Sequence, residues 1–174
     1  MKHTLLIKDW LYSFLSLWFP RCCVVCGGSL AKGEECICTM CNINLPRTDY
    51  HLRKDNPVEK LFWGKFPLER ATSFFFYRKG SDFRQVLHQL KYGGQKEIGA
   101  IMGRYMASEL QASDFFHGVD VIIPIPLHKK KQQIRGYNQS EWISRGITAV
   151  TGVPVDTEAS YAGRIRKRKH KSLL

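Results

Sequence analysis

The sequence predicts an α/β protein, with a small N-terminal four-cysteine zinc module ahead of a domain built on parallel strands. Three observations predict it. Cys23 and Cys26, then Cys38 and Cys41, form two Cys-x-x-Cys pairs separated by eleven residues. Residues 119–125 (VDVIIPI) are a short apolar run, the pattern of a strand buried on both faces. Helical periodicity precedes and follows that run, and residues 153–155 resume a strand pattern. Strand, helix and strand at this spacing read as a βαβ unit, which implies a parallel sheet.

The elements follow in order. Residues 9–19 predict a short helix that Asp9 can cap, with Trp10, Phe14, Leu17 and Trp18 near one face. Its polar face has too few cations for a membrane-surface anchor, so packing against the protein is expected. Pro20 ends it. Residues 42–69, punctuated by Pro46, Pro57 and Pro67, read as loop and linker. An aromatic strand is expected over 70–79, closed by Gly80. A helix over 81–92 places Phe83, Val86, Leu87 and Leu90 on one stripe, with Ser81 or Asp82 as cap and Gly93-Gly94 as stop. The next helix, about 95–111, is expected to bury Ile98, Ile101, Met102, Tyr105 and Leu110. A basic loop over 127–137 and a helix over 138–150 complete the unit.

The 174 residues are 44% apolar and 12% aromatic, enough for a packed core and against wholesale disorder. Net charge is +12. That excess points to an acidic or phosphorylated partner, but Arg164, Arg166, Lys167, Arg168, Lys169 and Lys171 concentrate much of it in one tail that would also serve as a solvated end. Trp10 to Phe19 is too short to cross a bilayer, which takes about 20 residues, and no transmembrane segment or secretory signal is predicted. A cytoplasmic protein with reduced cysteines is expected.

Two residues between thiols let both sulfurs of a knuckle reach one ion, and two knuckles complete a tetrahedral site. Zn²⁺ suits four thiolates; an iron–sulfur cluster is the other metal reading. A closed four-sulfur site leaves no open position, so the expected role is structural. Cys22 and Cys36 are left over.

The stretch from Pro124 to His128, the lysines 129–131, and Arg135-Gly136-Tyr137-Asn138-Gln139 leave the carboxyl end of the expected strand. Ligands of open α/β sheets bind at that edge, and helix N-termini with Lys and Arg attract phosphate. A basic surface loop of no function has the same composition. His88 and His128 carry no assigned role. There is no Ser/His/Asp arrangement, no placeable pair of catalytic carboxylates, and no P-loop or dinucleotide glycine pattern.

These motifs together resemble the ComF family, competence-associated proteins similar to type I phosphoribosyltransferases. The resemblance spans about residues 15–157: the paired cysteines, the aromatic strand ending in Tyr77, Leu90-Lys91-Tyr92-Gly93, the Pro-Ile-Pro-Leu-His run and Arg-Gly-Tyr-Asn-Gln. It implies an N-terminal helix and zinc ribbon over 1–66 and the first part of a phosphoribosyltransferase-like domain over 67–157. By the same resemblance Lys91, Arg135, Tyr137, Asn138 and Gln139 border a phosphate or substrate site. The implied partners are single-stranded DNA during natural transformation and a helicase-like competence protein. Phosphoribosyl pyrophosphate with Mg²⁺ is expected only of full-length members, because the acidic pair and Thr-Thr-Gly turn that hold it are missing here. The pattern stops after Asp156, so residues 158–174 read as an aberrant basic tail on a truncated or frame-shifted chain. Such a chain is expected to lack phosphoribosyl pyrophosphate-dependent activity and to fold poorly. The alternative expectation is a zinc-ribbon protein that binds single-stranded DNA or serves as an adaptor, without enzymatic activity. Arg21, Lys32, Tyr50 and Phe62 are its candidate contacts.

Overall fold

The computed structural model describes residues 20–158. The expected helix at 9–19 and the basic cluster from Arg164 onward lie outside the described residues. The elements are helices α1 (Thr39–Ile43), a 3-10 turn at Tyr50–Leu52, α2 (Pro57–Lys60), α3 (Arg84–Tyr92), α4 (Glu97–Gln111), α5 (Lys129–Arg135) and α6 (Gln139–Thr151).

The three amphipathic patterns form α3, α4 and α6. Val86 and Leu90 of α3 are buried, and Phe83 and Leu87 partly so. Ile98, Ile101, Met102 and Leu110 of α4 are buried, while Tyr105 is half-buried. Neither Ser81 nor Asp82 is the cap of α3: Phe83 holds that position, and the Ser81 hydroxyl accepts from the Phe83 amide at 3.3 Å. α4 and α6 meet through glycines. A Cβ on Gly103 would stand 3.1 Å from Gly146 Cα, and one on Gly99 would stand 3.0 Å from Trp142 Cβ. The two helices therefore approach at backbone distance, which only glycine permits.

Residues 42–69 are more than linker. Asn56 is buried and caps α2 in a capping box with Glu59. Its Nδ2 donates to the Ala71 carbonyl at 2.8 Å, and Arg70 donates to the carbonyls of Ser113 and His51, both at 2.9 Å. The polar side chains thus tie this irregular segment to the stretch before α3 and to the end of α4.

The expected parallel sheet, and with it the type I phosphoribosyltransferase-like domain, is not what the chain forms. The described residues are mostly helical and contain three isolated bridges in place of strands: Cys22 with Ser29, Arg47 with Phe75, and Ile122 with Val155. The last is the only trace of the βαβ pairing, with the Ile122 amide donating to the Pro154 carbonyl at 2.9 Å and the Asp156 amide to the Ile122 carbonyl at 3.0 Å. Two causes are visible. Pro124, Pro126 and Pro154 carry no N–H to extend the ladder. The aromatic stretch expected to join this sheet pairs elsewhere, antiparallel to 46–48, with the Phe76 amide donating to the Pro46 carbonyl at 2.8 Å. Consequently Ile123 and Ile125 are 55% and 77% exposed. The expected basic loop is also corrected: Lys129–Arg135 is helical, because the His128 Nδ1 accepts from the Lys130 amide and caps it.

Candidate functional site

The first knuckle is a tight turn. The Gly27 amide donates to the Cys23 carbonyl at 2.8 Å, the Cys23 amide to the Gly28 carbonyl at 2.7 Å, and Gly27 takes φ +73°, where a side chain would be strained. The second knuckle opens α1: Cys38 is its N-cap, and its sulfur accepts from the Cys41 amide at 3.4 Å. The Cys38 amide in turn donates to the Cys23 sulfur at 3.3 Å, which joins the knuckles.

The four sulfurs of Cys23, Cys26, Cys38 and Cys41 all lie within 4.8 Å of one another. A tetrahedral ion with bonds of about 2.3 Å places its ligands roughly 3.8 Å apart, and Cys26 Sγ and Cys38 Sγ are 3.8 Å apart. The donor set therefore fits a tetrahedral metal ion and is compatible with structural zinc. Its electrostatics agree. Burial opposes the Cys23 thiolate, but the amides of Cys26, Cys38 and Val25 outweigh it and bring the thiol down to about 7. Burial and the neighbouring sulfurs of Cys38, Cys26 and Cys23 push the Cys41 thiol upward. Four sulfurs this close cannot all be anionic without a cation among them. Cys36 stands apart: it is buried, and burial together with the charges of Glu35 and Cys23 pushes its thiol up to about 12. Cys22 is exposed.

The five residues expected at a phosphate site divide into two groups. Tyr137, Asn138 and Gln139 are buried. The Tyr137 hydroxyl donates to the Leu90 carbonyl at 2.6 Å, satisfying one of the orphan acceptors at the end of α3. Asn138 caps α6 by accepting from the Ser140 amide at 3.1 Å, and its Nδ2 donates to the Ile125 carbonyl at 3.0 Å. Gln139 Oε1 accepts from Arg135 at 2.9 Å, while its buried Nε2 has no protein partner. Lys91 and Arg135 instead reach the surface around Tyr92, with the Arg135 guanidinium 5.4 Å from that ring's centre.

No sequence motif includes Arg84, Tyr77 and Tyr92 enter only as part of the family resemblance, and His88 has no role that the sequence assigns. Their signal was a second stripe: 84, 88, 91 and 92 fall on one face of α3, away from the apolar one. Of the base-stacking candidates, Tyr50 packs edge-on against Phe76 at 5.6 Å, and Phe62 is 41% exposed. Among the described residues no helix is long and apolar enough to cross a membrane.

The chain is similar to proteins named DNA utilization protein YhgH. The one from Escherichia coli strain K12 is 25% identical over 169 residues, covering 88% of this chain and 72% of the relative. The Shigella flexneri protein matches to the same extent. The Salmonella typhimurium protein is 26% identical over 184 residues, covering 90% of this chain and 78% of the relative. No family model matches the chain. No solved structure matches it.

Proposed function

We propose that this chain is a ComF-type DNA-handling protein, linked to the uptake of single-stranded DNA and stabilised by one structural zinc ion. One observation carries the reading: the Arg135 guanidinium, from a separate helix, lies 5.4 Å from the centre of the exposed Tyr92 ring, and Lys91 lines the same surface pocket as that ring. Cations beside an open aromatic ring are the chemistry that holds a phosphate backbone next to unstacked bases. The names of the relatives and the net charge of +12 support it. Fluorescence anisotropy of a labelled single strand against the zinc-loaded chain tests it. Binding that weakens as salt rises is expected, because displaced counterions drive it; no binding at low salt refutes it.

A second reading, an adaptor without enzymatic activity, is favoured by the apolar segment Leu61, Phe62, Trp63 and Phe66, which are 65%, 41%, 58% and 65% exposed. The partner suggested by resemblance is a helicase-like competence protein. Co-purification lost on replacing Trp63 and Phe66 by Ser would favour this reading over the first.

A further inference from the structure

α3 has two faces. Val86 and Leu90 are packed inside, and the other side presents Arg84, His88, Lys91 and Tyr92. With Tyr77 and Leu87 these line a surface pocket of about 440 Å³, within the ~300–1,000 Å³ range of small-ligand sites. The two phenols are not core residues: Tyr77 is 57% and Tyr92 67% exposed. His88 and Tyr92 adjoin, their ring centres 5.3 Å apart and tilted by 50°, and Tyr77 lines the same pocket. Arg135 is pinned at its rim, stacked on Tyr92 and bonded to the buried Gln139. No carboxylate is among the lining residues, so the local field is cationic.

We propose that this pocket binds single-stranded DNA by seating an unpaired base against Tyr77 and Tyr92, while Arg84, Lys91 and Arg135 hold the flanking phosphates. The assignment rests on the DNA-handling reading and locates its site. Stacking on a tyrosine requires a free base face, which a duplex hides within its own stack, so the chemistry selects single strands. Aromatic stacking accepts every base, so the site should be indifferent to sequence. The arginine is positioned before the strand arrives, because Gln139 and Tyr92 hold it from two sides.

The test uses the whole zinc-loaded chain and a labelled oligothymidine of about 12 nucleotides, within the site sizes of single-strand binders. Tyr92→Leu and Tyr77→Leu keep apolar bulk at exposed positions, and an unchanged helical circular dichroism spectrum shows that the fold is intact. Each should weaken binding about 5- to 150-fold, the factor for losing one stacked base, without altering the salt slope. Lys91→Gln should instead reduce the slope by about 0.7, one phosphate contact on a single strand. A bromodeoxyuridine strand should photocrosslink to peptides holding Tyr77 or Tyr92. Binding that survives both tyrosine substitutions overturns the pocket and leaves the DNA reading standing. Absence of any DNA binding by the unaltered chain overturns that reading and the pocket with it. Equal affinity for a duplex, or tighter binding of RNA of the same sequence, overturns the assignment to single-stranded DNA.

Discussion

Gly146→Ala should destabilise the chain although it improves a helix. Gly146 lies within α6, where alanine is favoured over glycine by about 1 kcal/mol in helix propensity. Its neighbour across the interface is backbone: an added Cβ would lie 2.8 Å from the Ala100 carbonyl carbon, 2.9 Å from its Cα, and nearer still to its oxygen. Ordinary contact begins at 3.4 Å, so the carbonyl carbon alone demands a separation of 0.6 Å (3.4 less 2.8 Å) and the nearer oxygen demands more than that. A gap of about 0.5–1 Å forfeits a quarter to a half of each dispersion contact, and no rotamer change can relieve a clash with a carbonyl. Overpacking typically costs about 1–3 kcal/mol, and a clash with backbone that cannot move aside belongs at the upper end, which leaves about 2 kcal/mol after the propensity gain. For a chain of this size that corresponds to a fall in Tm of about 4–8 °C. The assay is thermal unfolding by circular dichroism at fixed excess zinc, so that metal linkage is constant. Ser108→Ala, at an exposed position of the facing helix α4, serves as the control and should leave Tm within a degree or two. An unchanged or raised Tm for Gly146→Ala would refute the backbone-to-backbone packing of these helices.

Tyr137→Phe should cost about 1 kcal/mol in denaturant unfolding, by freeing the Leu90 carbonyl. Burial first, and the charge of Glu97 second, raise the Tyr137 hydroxyl above its ordinary value of 10.0, so the folded chain holds this proton more tightly than the unfolded one. The stability it supplies is complete below about pH 10 and is lost as pH rises beyond it, and the Phe variant should lack that alkaline loss. Cys36, 7% exposed, should resist iodoacetamide in the native chain while the exposed Cys22 reacts; peptide mass mapping reads both. Cys41→Ser should abolish stoichiometric zinc in atomic emission of the purified chain, since a closed site loses one of four sulfurs.

What could be read in advance was whatever repeats on a short period. The four clustered cysteines are fixed by two local spacings, and α3 and α4 by stripes of Val86 and Leu90 or Ile98 and Met102. The sheet was a different inference, because it depended on partners. A run such as 119–125 states that its residues suit a strand; it does not state which segment pairs with it. The aromatic stretch took residues 46–48 as its partner, and three prolines shortened the other contact to Ile122 and Val155. The site divided for a related reason. Arg-Gly-Tyr-Asn-Gln is contiguous, so it invited a single role, whereas Tyr137 and Asn138 close the ends of α3 and α6 and Arg135 alone turns outward. Arg84 and His88 lie off the apolar stripe of α3, so its periodicity carries no information about them.

The four-cysteine cluster and the aromatic pocket are joined through α3, and that connection has a measurable consequence. At nine residues α3 is shorter than the ~12–15 at which isolated helices become even marginally stable, so its existence depends on packing. Its buried face rests in one cluster with Cys23, Cys36 and Ile37 from the knuckles, and the first knuckle faces Gln85 and Gln89 across a shared crevice. Without an ion the knuckle keeps only a few backbone bonds, while structural zinc supplies roughly 10–16 kcal/mol in small modules. Chelation should therefore loosen one wall of α3 and disturb the register of Arg84, His88, Lys91 and Tyr92 on the other. Amide exchange across residues 86–92 should accelerate on metal removal, and affinity for a single strand should fall in the same sample, although no cysteine lines the pocket. Both should return when zinc is restored. Full protection of α3 and undiminished binding in the metal-free chain would show that the zinc module stands independently of the surface it adjoins.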